Sequence, residues 1–271
     1  MYKRQTKNLV FILELCYYKP IWDGICIKLV SHELLGGNVM ARKIYRGEYN
    51  PAHNIVKKEH YEIFKNIQPN KNLWYLFVKR AADIICSLLA LIFLSPLFLA
   101  VSIAIKKDGG PVFFMQQRIG KDGKAFRMYK FRSMVVNAEE MLKELQSKNE
   151  ASGPVFKIEN DPRVTKVGRF IRKYSIDELP QLINILIGDM SIVGPRPPLP
   201  SEVVMYSEYD MQRLKVRPGL TCYWQCGGRS KISFEKWIDM DLEYINDQGI
   251  WCDFKIILKT IPAVFNGDGA Y

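Results

Sequence analysis

The sequence predicts an α+β fold that is mostly helical and membrane-associated, with one β-hairpin. The first observation is an uncharged apolar segment, "IICSLLALIFLSPLFLAVSIAI", at residues 84–105. The second is residues 111–134, which contain two β-prone runs around Asp122-Gly123, a good hairpin signal. The third is the series of helical segments after the hairpin, which capping residues, Gly or Pro separate from one another.

The apolar segment is long enough to cross a bilayer but has a break near its centre. As a helix, its 22 residues would extend roughly 33 Å, and a hydrocarbon core is about 30 Å thick. Pro96 removes one backbone hydrogen bond, and Ser95 beside it is able to satisfy a freed backbone group. We therefore expect the helix to break at Ser95-Pro96.

Cations flank both ends of this segment. Lys79 and Arg80 precede it, and Lys106 and Lys107 follow it. A spanning helix favours cations on one side, whereas here both ends favour the same anionic face. A re-entrant helix that enters and leaves by one leaflet meets both requirements, and a Pro-kinked spanning helix is the alternative. These residues alone favour the re-entrant topology only slightly.

The other elements follow from capping and turn signals. Asn137 is expected to cap a charged surface helix, and Thr165 to begin a short basic helix over 165–174. A helix that ends near Gly188 precedes a rigid turn, "GDMSIVGPRPPLP", and residues 217–229 are predicted to be irregular. The remaining predictions are a polar loop at 150–162 and helices at about 202–213, 234–246 and 250–265.

The net charge of +11 is unevenly distributed along the chain. Lys and Arg outnumber Asp and Glu by 14 to 6 in residues 1–80 and by 16 to 8 in residues 106–173, but not in residues 174–271, where they are 9 to 13. Nucleic acid, an anionic membrane and phosphorylated substrates are equally compatible with such a basic excess. The N-terminus is not expected to be a signal peptide, since Glu14 interrupts its apolar run and no small-residue cleavage site follows.

The cysteines and histidines limit which side chains are available as metal ligands and catalytic bases. The six cysteines form neither a CxxC pair nor a zinc site, so reduced thiols in a cytosol-facing protein are expected. The histidines, His32, His53 and His60, all lie in the first quarter of the chain. An active site beyond residue 80 therefore has no histidine base, and carboxylates, lysine, cysteine or a metal would do that work.

Two adjacent carboxylates, Asp177 and Glu178, stand directly before an apolar helical run. Ser175 and Glu178 fit a capping box, but with Ser175 as N-cap, Pro180 would remove a needed hydrogen bond. Pro180 instead favours a helix that starts near Asp177. The helix dipole would then lower the pKa of Asp177 and keep it ionised, as a nucleophile or a metal ligand requires.

Basic residues accompany this pair. Arginine suits bidentate phosphate binding, and carboxylates beside several such cations suit metal-assisted phosphoryl chemistry. Ordinary surface ion pairs explain the same pattern equally well. The basic residues are Arg169, Arg172 and Lys173 before the pair, Lys130 and Arg132 in "KFRSM", and Arg196 between two prolines in "GPRP".

Three long motifs occur in order: "VKRAADIICSLLALIFLSPLFLAVSIAIKKDGGPVFFMQQRIGKDGKAFRMYKFRSM", "DPRVTKVGRFIRKYSIDELPQLINILIGDMSIVGPRP" and "RPGLTCYWQCGGR". Over about residues 75–271, the chain closely resembles the bacterial sugar transferase family, the monotopic phosphoglycosyl transferases. The resemblance implies transfer of a sugar-1-phosphate from a UDP-sugar to undecaprenyl phosphate, with UMP as the other product. It also implies a covalent intermediate on Asp177 and a ping-pong scheme with Mg²⁺, for which Asp177 and Glu178 are the candidate ligands. Whether Glu178 binds the metal, acts as a base or only holds Asp177 in place is left open.

The resemblance further implies site residues and a topology. The phosphate-contacting basic positions of the family fall on Lys130, Arg172 and Arg196, and its re-entrant helix would break at Ser95-Pro96. Three more candidates for substrate binding are Arg132, Gln225 and Arg229. Cys222 and Cys226 depart from the residues usual in the family, so the sugar is not assigned.

The expected organisation has three parts: a basic N-terminal extension at 1–74, a re-entrant membrane helix with basic flanks at 75–110, and a cytoplasmic catalytic domain at 111–271. The expected location is the bacterial inner membrane, and the expected partners are a UDP-sugar, undecaprenyl phosphate and membrane lipid, but not nucleic acid. A homo-oligomer is left open. Such an enzyme would initiate exopolysaccharide, capsule, O-antigen or glycoprotein glycan assembly. The alternatives are a catalytically impaired family member and a basic membrane-anchored scaffold.

Overall fold

The computed structural model describes residues 67–145, 149, 158, 160–227 and 232–266. Within these residues, helices predominate, and the strands form two small sheets. The predicted extension at 1–74 and Arg229 lie largely or wholly outside the described residues. In chain order the elements are α1 (Leu73–Phe93), α2 (Ser95–Lys106), β1 (Phe113–Ile119), β2 (Ala125–Phe131), α3 (Ala138–Leu145), α4 (Lys166–Lys173), α5 (Gln181–Ile187), β3 (Ser191–Val193), α6 (Pro200–Val203), α7 (Glu208–Met211), β4 (Gly219–Thr221), α8 (Tyr223–Cys226), α9 (Phe234–Asp247) and α10 (Ile250–Asn266), with 3₁₀ turns at Lys121–Gly123, Ile176–Glu178 and Gln212–Lys215.

The apolar segment is broken where the sequence predicts a break. Helices α1 and α2 meet at a bend of 61° beside Ser95. Pro96 has no N–H to donate to the carbonyl of Ile92, four residues earlier, and the Ser95 hydroxyl donates to that carbonyl instead at 2.8 Å. In the described part of the chain, no single helix is long and apolar enough to cross a membrane, but this bent pair is, by length and composition.

The cations that precede the apolar segment are used inside the fold. Lys79 Nζ lies 2.8 Å from the carboxylate of Asp253 on α10. The Arg80 guanidinium donates to the carbonyls of Ile185 and Leu186 at 2.6 and 2.7 Å, which satisfies backbone groups at the C-terminal end of α5. Both cations therefore attach α1 to the rest of the domain, a role that was not predicted from the sequence.

A broad apolar surface accompanies the bent pair. Helices α1 and α10 each expose several large apolar side chains and α2 exposes two, more than scattered surface positions would account for. These side chains include Trp74, Phe77, Ile85 and Phe93 on α1, Leu99 and Ile103 on α2, and Trp251, Phe254, Leu258 and Ile261 on α10.

The predicted hairpin is confirmed. Strands β1 and β2 pair antiparallel, with Phe113 opposite Phe131 and Ile119 opposite Ala125. Asp122 and Gly123 form the turn with positive φ angles of 56° and 76°, a conformation that Gly and Asp tolerate better than other residues. The hairpin packs between the two apolar groups described next.

Two apolar clusters hold the hairpin to the helices. On one face, Met128 packs with Leu182 and Ile185 of α5. In the other cluster, Phe131 packs with α2 and with Ile171 of α4. Because successive strand residues point to opposite faces, Lys130 shares its face with Met128 and therefore points toward the α5 side.

The turn and the irregular stretch predicted around Gly194 and Gly219 contain strands. Ser191–Val193 and Gly219–Thr221 pair in parallel. A Cβ on Gly219 would overlap the backbone of Gly194, so only glycine permits this close approach. Three-residue strands are too short for periodicity to indicate, so neither strand was predictable from the sequence pattern.

The remaining helices follow the predictions with one division and one addition, the short helix α8 (Tyr223–Cys226) inside the stretch predicted to be irregular. Thr165 caps α4, its side chain accepting a hydrogen bond from the Gly168 N–H at 2.9 Å. The helix predicted at 202–213 is divided into α6 and α7, because Ser207 caps a new start: its side chain and backbone pair with Asp210. Helices α9 and α10 match the last two predictions, and the largest cluster of buried residues includes Leu242, Tyr244, Ile245 and Ile256.

Candidate active site

The acidic pair lies in a 3₁₀ turn rather than at the start of a helix. Ser175 has a positive φ of 54° and makes no side-chain capping bond, so the capping-box interpretation is wrong. Helix α5 begins only at Gln181, with Pro180 as its N-cap, so the predicted start near Asp177 is wrong as well. The Glu178 N–H bonds the Ser175 carbonyl at 3.2 Å, and this tight turn places Asp177 and Glu178 before the helix.

Burial dominates the electrostatics of Asp177. The residue is only 7% exposed, and this desolvation raises its pKa from the ordinary 3.8 to about 6. The ammonium of Lys130 opposes the rise, and the neighbouring Glu178 carboxylate adds to it. The predicted lowering by a helix dipole is wrong, because Asp177 precedes α5 by four residues and is shielded from water.

Glu178 has the opposite character. Its Oε1 accepts a hydrogen bond from Lys130 Nζ at 2.6 Å, and about a third of its side chain, 34%, is exposed. Burial alone would raise the pKa of Glu178, but Lys130, and then Arg196, hold it at about 2. One carboxyl therefore titrates close to neutrality while its neighbour stays ionised, which is how two carboxyls in one site acquire different roles.

Arg172 approaches the acidic pair from the last turn of α4. Its Nε donates to the hydroxyl of Ser133 at 2.9 Å, which orients the guanidinium. Burial lowers the pKa of Arg172, and the charge of Asp177 opposes this more than that of any other carboxylate. The predicted phosphate-binding residue therefore lies close enough to the candidate nucleophile to interact with its charge.

Arg196 and Arg118, which was not among the predicted site residues, complete the cationic side of the site. The charge of Arg196 acts on both Glu178 and Arg118. Arg118 on β1 is 4% exposed, and burial, followed by the repulsion of Arg196, lowers its pKa to about 9. Arg118 pairs with Phe126 in the hairpin register and Phe114 pairs with Lys130, so strand alternation places both cations on one face. The predicted turn at Asp122-Gly123 could have given this register.

The other predicted residues lie apart from this group or outside the residues that the structure describes. Arg132 is buried, and its guanidinium donates to the carbonyls of Ile105 and Gly109, which attaches the hairpin to the end of α2. Gln225 is half-buried on α8, and Arg229 falls outside the described residues. The structure brings together five of the predicted residues: Lys130, Arg172, Arg196, Asp177 and Glu178.

The acidic pair fits a magnesium ion only in combination with a substrate. Among the described residues, no group of three or more His, Cys, Asp or Glu side chains could hold a metal ion. Mg²⁺ commonly takes one or two carboxylates and completes its octahedron with substrate phosphates and water. Asp177 and Glu178 offer that partial set, with Glu178 ionised and partly exposed.

Comparison with known proteins identifies the family. The sequence model of the bacterial sugar transferase family matches residues 74–267, most of the chain. The chain belongs to the bacterial sugar transferase family. This confirms the resemblance inferred from the three motifs, and the matched range includes every residue of the acidic pair and its cations.

Curated members of the sugar transferase family are similar at moderate to high identity. A galactosyl transferase, CpsE, from Streptococcus agalactiae is 47% identical over 72% of this chain and 44% of its own length. An undecaprenyl-phosphate galactose phosphotransferase from Salmonella typhimurium is 45% identical over 72% of this chain and 42% of its own. The exopolysaccharide production protein ExoY of Sinorhizobium fredii is 43% identical over 71% of this chain and 88% of its own. The match thus spans less than half of the first two relatives and most of the third.

Proposed function

We propose that this protein transfers a sugar-1-phosphate from a UDP-sugar to undecaprenyl phosphate, releases UMP, and forms a covalent phosphosugar intermediate on Asp177. Such a reaction would initiate assembly of an exopolysaccharide, a capsule or a related glycan. The observation that carries the proposal is the buried Asp177 beside an ionised Glu178, with Lys130, Arg172 and Arg196 around them. The names of the Salmonella and Sinorhizobium relatives support the lipid carrier and the pathway class.

In the first half-reaction, a carboxylate oxygen of Asp177 attacks the β-phosphorus, which carries the sugar. The bond from that phosphorus to the bridging oxygen breaks, and the oxygen leaves with the electron pair as part of UMP. Although burial raises the pKa of Asp177 to about 6, that value is still below 7, so the carboxylate form predominates at neutral pH. It is therefore an available nucleophile that burial keeps poorly solvated, and no histidine is needed to activate it.

The cations reduce the repulsion between the carboxylate and the diphosphate. Lys130 and Arg172 both lower the cost of an ionised Asp177 in the buried site. Charge that develops on the leaving UMP would be stabilised by fixed donors such as the guanidinium of Arg196. When bound by Asp177 and Glu178, Mg²⁺ would supply further charge compensation to the phosphate oxygens. Glu178 keeps Lys130 in place through the 2.6 Å bond.

In the second half-reaction, a phosphate oxygen of undecaprenyl phosphate attacks the phosphorus of the Asp177 intermediate. The bond from phosphorus to the Asp177 oxygen breaks, and the carboxylate is regenerated with its electron pair. The product is the lipid diphosphate sugar. Because the two half-reactions are separate, the nucleotide leaves before the lipid phosphate arrives, and the same cations serve both anions.

The surface of the domain supports a position at the bilayer. We propose that α1 and α2 form a re-entrant helix bent by 61° at Ser95-Pro96. The exposed apolar side chains of α10, such as Trp251 and Phe254, would then extend the lipid contact into the interface. We accordingly propose the cytoplasmic face of the bacterial inner membrane as the location of the site.

The test is UMP release from a panel of UDP-sugars, including UDP-galactose, in membranes or detergent with undecaprenyl phosphate and Mg²⁺. Asp177→Asn should lower the rate by at least about a hundredfold, because an amide is not a nucleophile here. Asp122→Asn in the hairpin turn is the matched control, since Asn also tolerates the φ of 56° there, and it should keep wild-type activity. Near-full activity of Asp177→Asn would refute the assignment of the nucleophile.

A further inference from the structure

The segment that carries Arg196 is held through four consecutive backbone carbonyls. Three of its four residues are prolines, which have no N–H to donate, so carbonyls are the only backbone groups by which those three can be hydrogen-bonded. Two of the four donors are backbone amides, and two are arginine side chains. The bonds run from Gly219 N to Pro195 O (2.9 Å), Arg213 Nη2 to Arg196 O (2.9 Å), Arg118 Nη1 to Pro197 O (3.0 Å) and Ile119 N to Pro198 O (2.9 Å).

Arg213, which binds the Arg196 carbonyl, is itself fixed from several directions. Its side chain is fully buried and lies 2.6 Å from the carboxylate of Asp241, which is also fully buried. Its Nη1 donates to the hydroxyl of Tyr206 at 2.7 Å, and its guanidinium lies 4.9 Å from the centre of the Trp237 ring. Only the planar, five-donor guanidinium can make all these contacts at once, and lysine cannot.

Stability alone is a weak explanation for this arrangement. The desolvation of two buried charges offsets much of their attraction, so apolar residues of similar volume often stabilise a fold equally well. The Arg213 guanidinium, however, donates a hydrogen bond to the carbonyl of Arg196, which is the one non-proline residue of the segment. The prolines on both sides have fixed φ angles, and the bond to the Arg196 carbonyl restrains the backbone between them, from which the Arg196 side chain extends.

We propose that Arg213 is a positioning residue: held by Asp241 and Tyr206, it fixes the Arg196 backbone so that the Arg196 guanidinium meets the donor diphosphate. This inference rests on the proposed function, since it concerns the binding of that donor. Arg213 acts only through Arg196 and has no contact with the reacting atoms. Precise placement matters because a bidentate guanidinium–phosphate contact depends on orientation as well as charge.

A double-mutant cycle tests this action through Arg196. Arg213→Lys should lower kcat/KM for the UDP-sugar about tenfold, because Lys keeps the charge but loses the bond to the Arg196 carbonyl. Arg196→Ala should cost about a hundredfold. If Arg213 acts through Arg196, the double variant should resemble Arg196→Ala alone. A loss in the double variant equal to the product of the two single losses would overturn the proposal.

A pair of tyrosines gives milder variants that are expected to fold. Tyr206→Phe removes the hydroxyl that accepts a hydrogen bond from Arg213 Nη1, and Tyr209→Phe removes a hydroxyl that donates to Asp239 at 2.8 Å. The two should lower the melting temperature similarly, but only Tyr206→Phe should raise the KM for the donor, by about threefold. Equal donor KM values for the two variants would refute the positioning role.

The same variants separate this inference from the proposed function. A wild-type protein that binds UDP but releases no UMP from any UDP-sugar would refute the proposed function. In that case the double-mutant cycle is measured with the Kd for UDP instead of kcat/KM. Arg213→Lys should weaken UDP binding when it is introduced into the wild-type protein but not when it is introduced into the Arg196→Ala variant. Additive losses in Kd would refute the positioning role in that case too.

Discussion

Replacing the candidate nucleophile should stabilise the protein while it removes activity. Burial raises the pKa of Asp177 from 3.8 to about 6, so the folded protein binds the proton more tightly than the unfolded chain does. At pH values above 6 the carboxyl is ionised in both states, and folding then has to bury a charge. Below about pH 4 it is protonated in both, and that cost disappears. Stability contributed by the neutral form is therefore lost as the pH rises from about 4 to 6.

The size of the effect follows from the same two values. Each pKa unit corresponds to 1.36 kcal/mol, so a rise from 3.8 to about 6 makes the ionised Asp177 cost about 3 kcal/mol at pH 8. Asp177→Asn is neutral at every pH and should recover up to that amount. For a domain of this size, the melting temperature should rise by roughly 6–12 °C.

The assay is thermal unfolding in detergent, with the variant compared with wild type at pH 8 and at pH 4.5. The gain from Asp177→Asn should be largest at pH 8 and small at pH 4.5. Glu178→Gln is the matched control, for which the opposite change in stability is expected. Lys130 and Arg196 hold the pKa of Glu178 at about 2 although burial alone would raise it. That variant should be less stable than wild type at pH 8. A lower melting temperature of Asp177→Asn at pH 8 would contradict the burial argument.

Two further predictions concern the pH profile and the close approach of two glycines. Single-turnover UMP release without acceptor should fall about tenfold per pH unit below about 6, as Asp177 becomes protonated; a flat rate down to pH 4.5 would contradict this. Gly219→Ala should cost about 1–3 kcal/mol of stability and disturb β3, because a Cβ would overlap the Gly194 backbone. Gly249→Ala is its control, since a Cβ there would meet only the Asp247 carbonyl at 3.8 Å, and unchanged melting of Gly219→Ala would be the contrary result.

Features that depend on neighbouring residues were predictable from the sequence. The Asp122-Gly123 turn, the Thr165 cap and the end of α5 at Gly188 each arise from one or two residues with a strong conformational preference. The break at Ser95-Pro96 belongs to the same class, because the missing N–H and its replacement hydroxyl are adjacent. Such features require no knowledge of what packs against them.

Features that depend on distant residues were not predictable in this way. The pairing of β3 with β4 joins residues 191 and 219, and its strands are too short for periodicity to reveal. The pKa of Asp177 was expected to fall because the surrounding protein that excludes water could not be inferred from the local pattern. The ion pair of Lys79 was not predicted for the same reason, since its partner Asp253 lies 174 residues away.

The apolar packing of α2 explains how the charged site keeps its geometry so close to the proposed membrane helices. Phe131, Ile171 and the partly buried Ile176 pack in one cluster with Val101 and Ile105 of α2. Each of the first three is the chain neighbour of a site residue: Phe131 follows Lys130, Ile171 precedes Arg172, and Ile176 precedes Asp177. Because buried apolar side chains fix the backbone beside them, one cluster sets the positions of three charged groups. The bent helix pair is therefore part of the scaffold of the site as well as a candidate anchor.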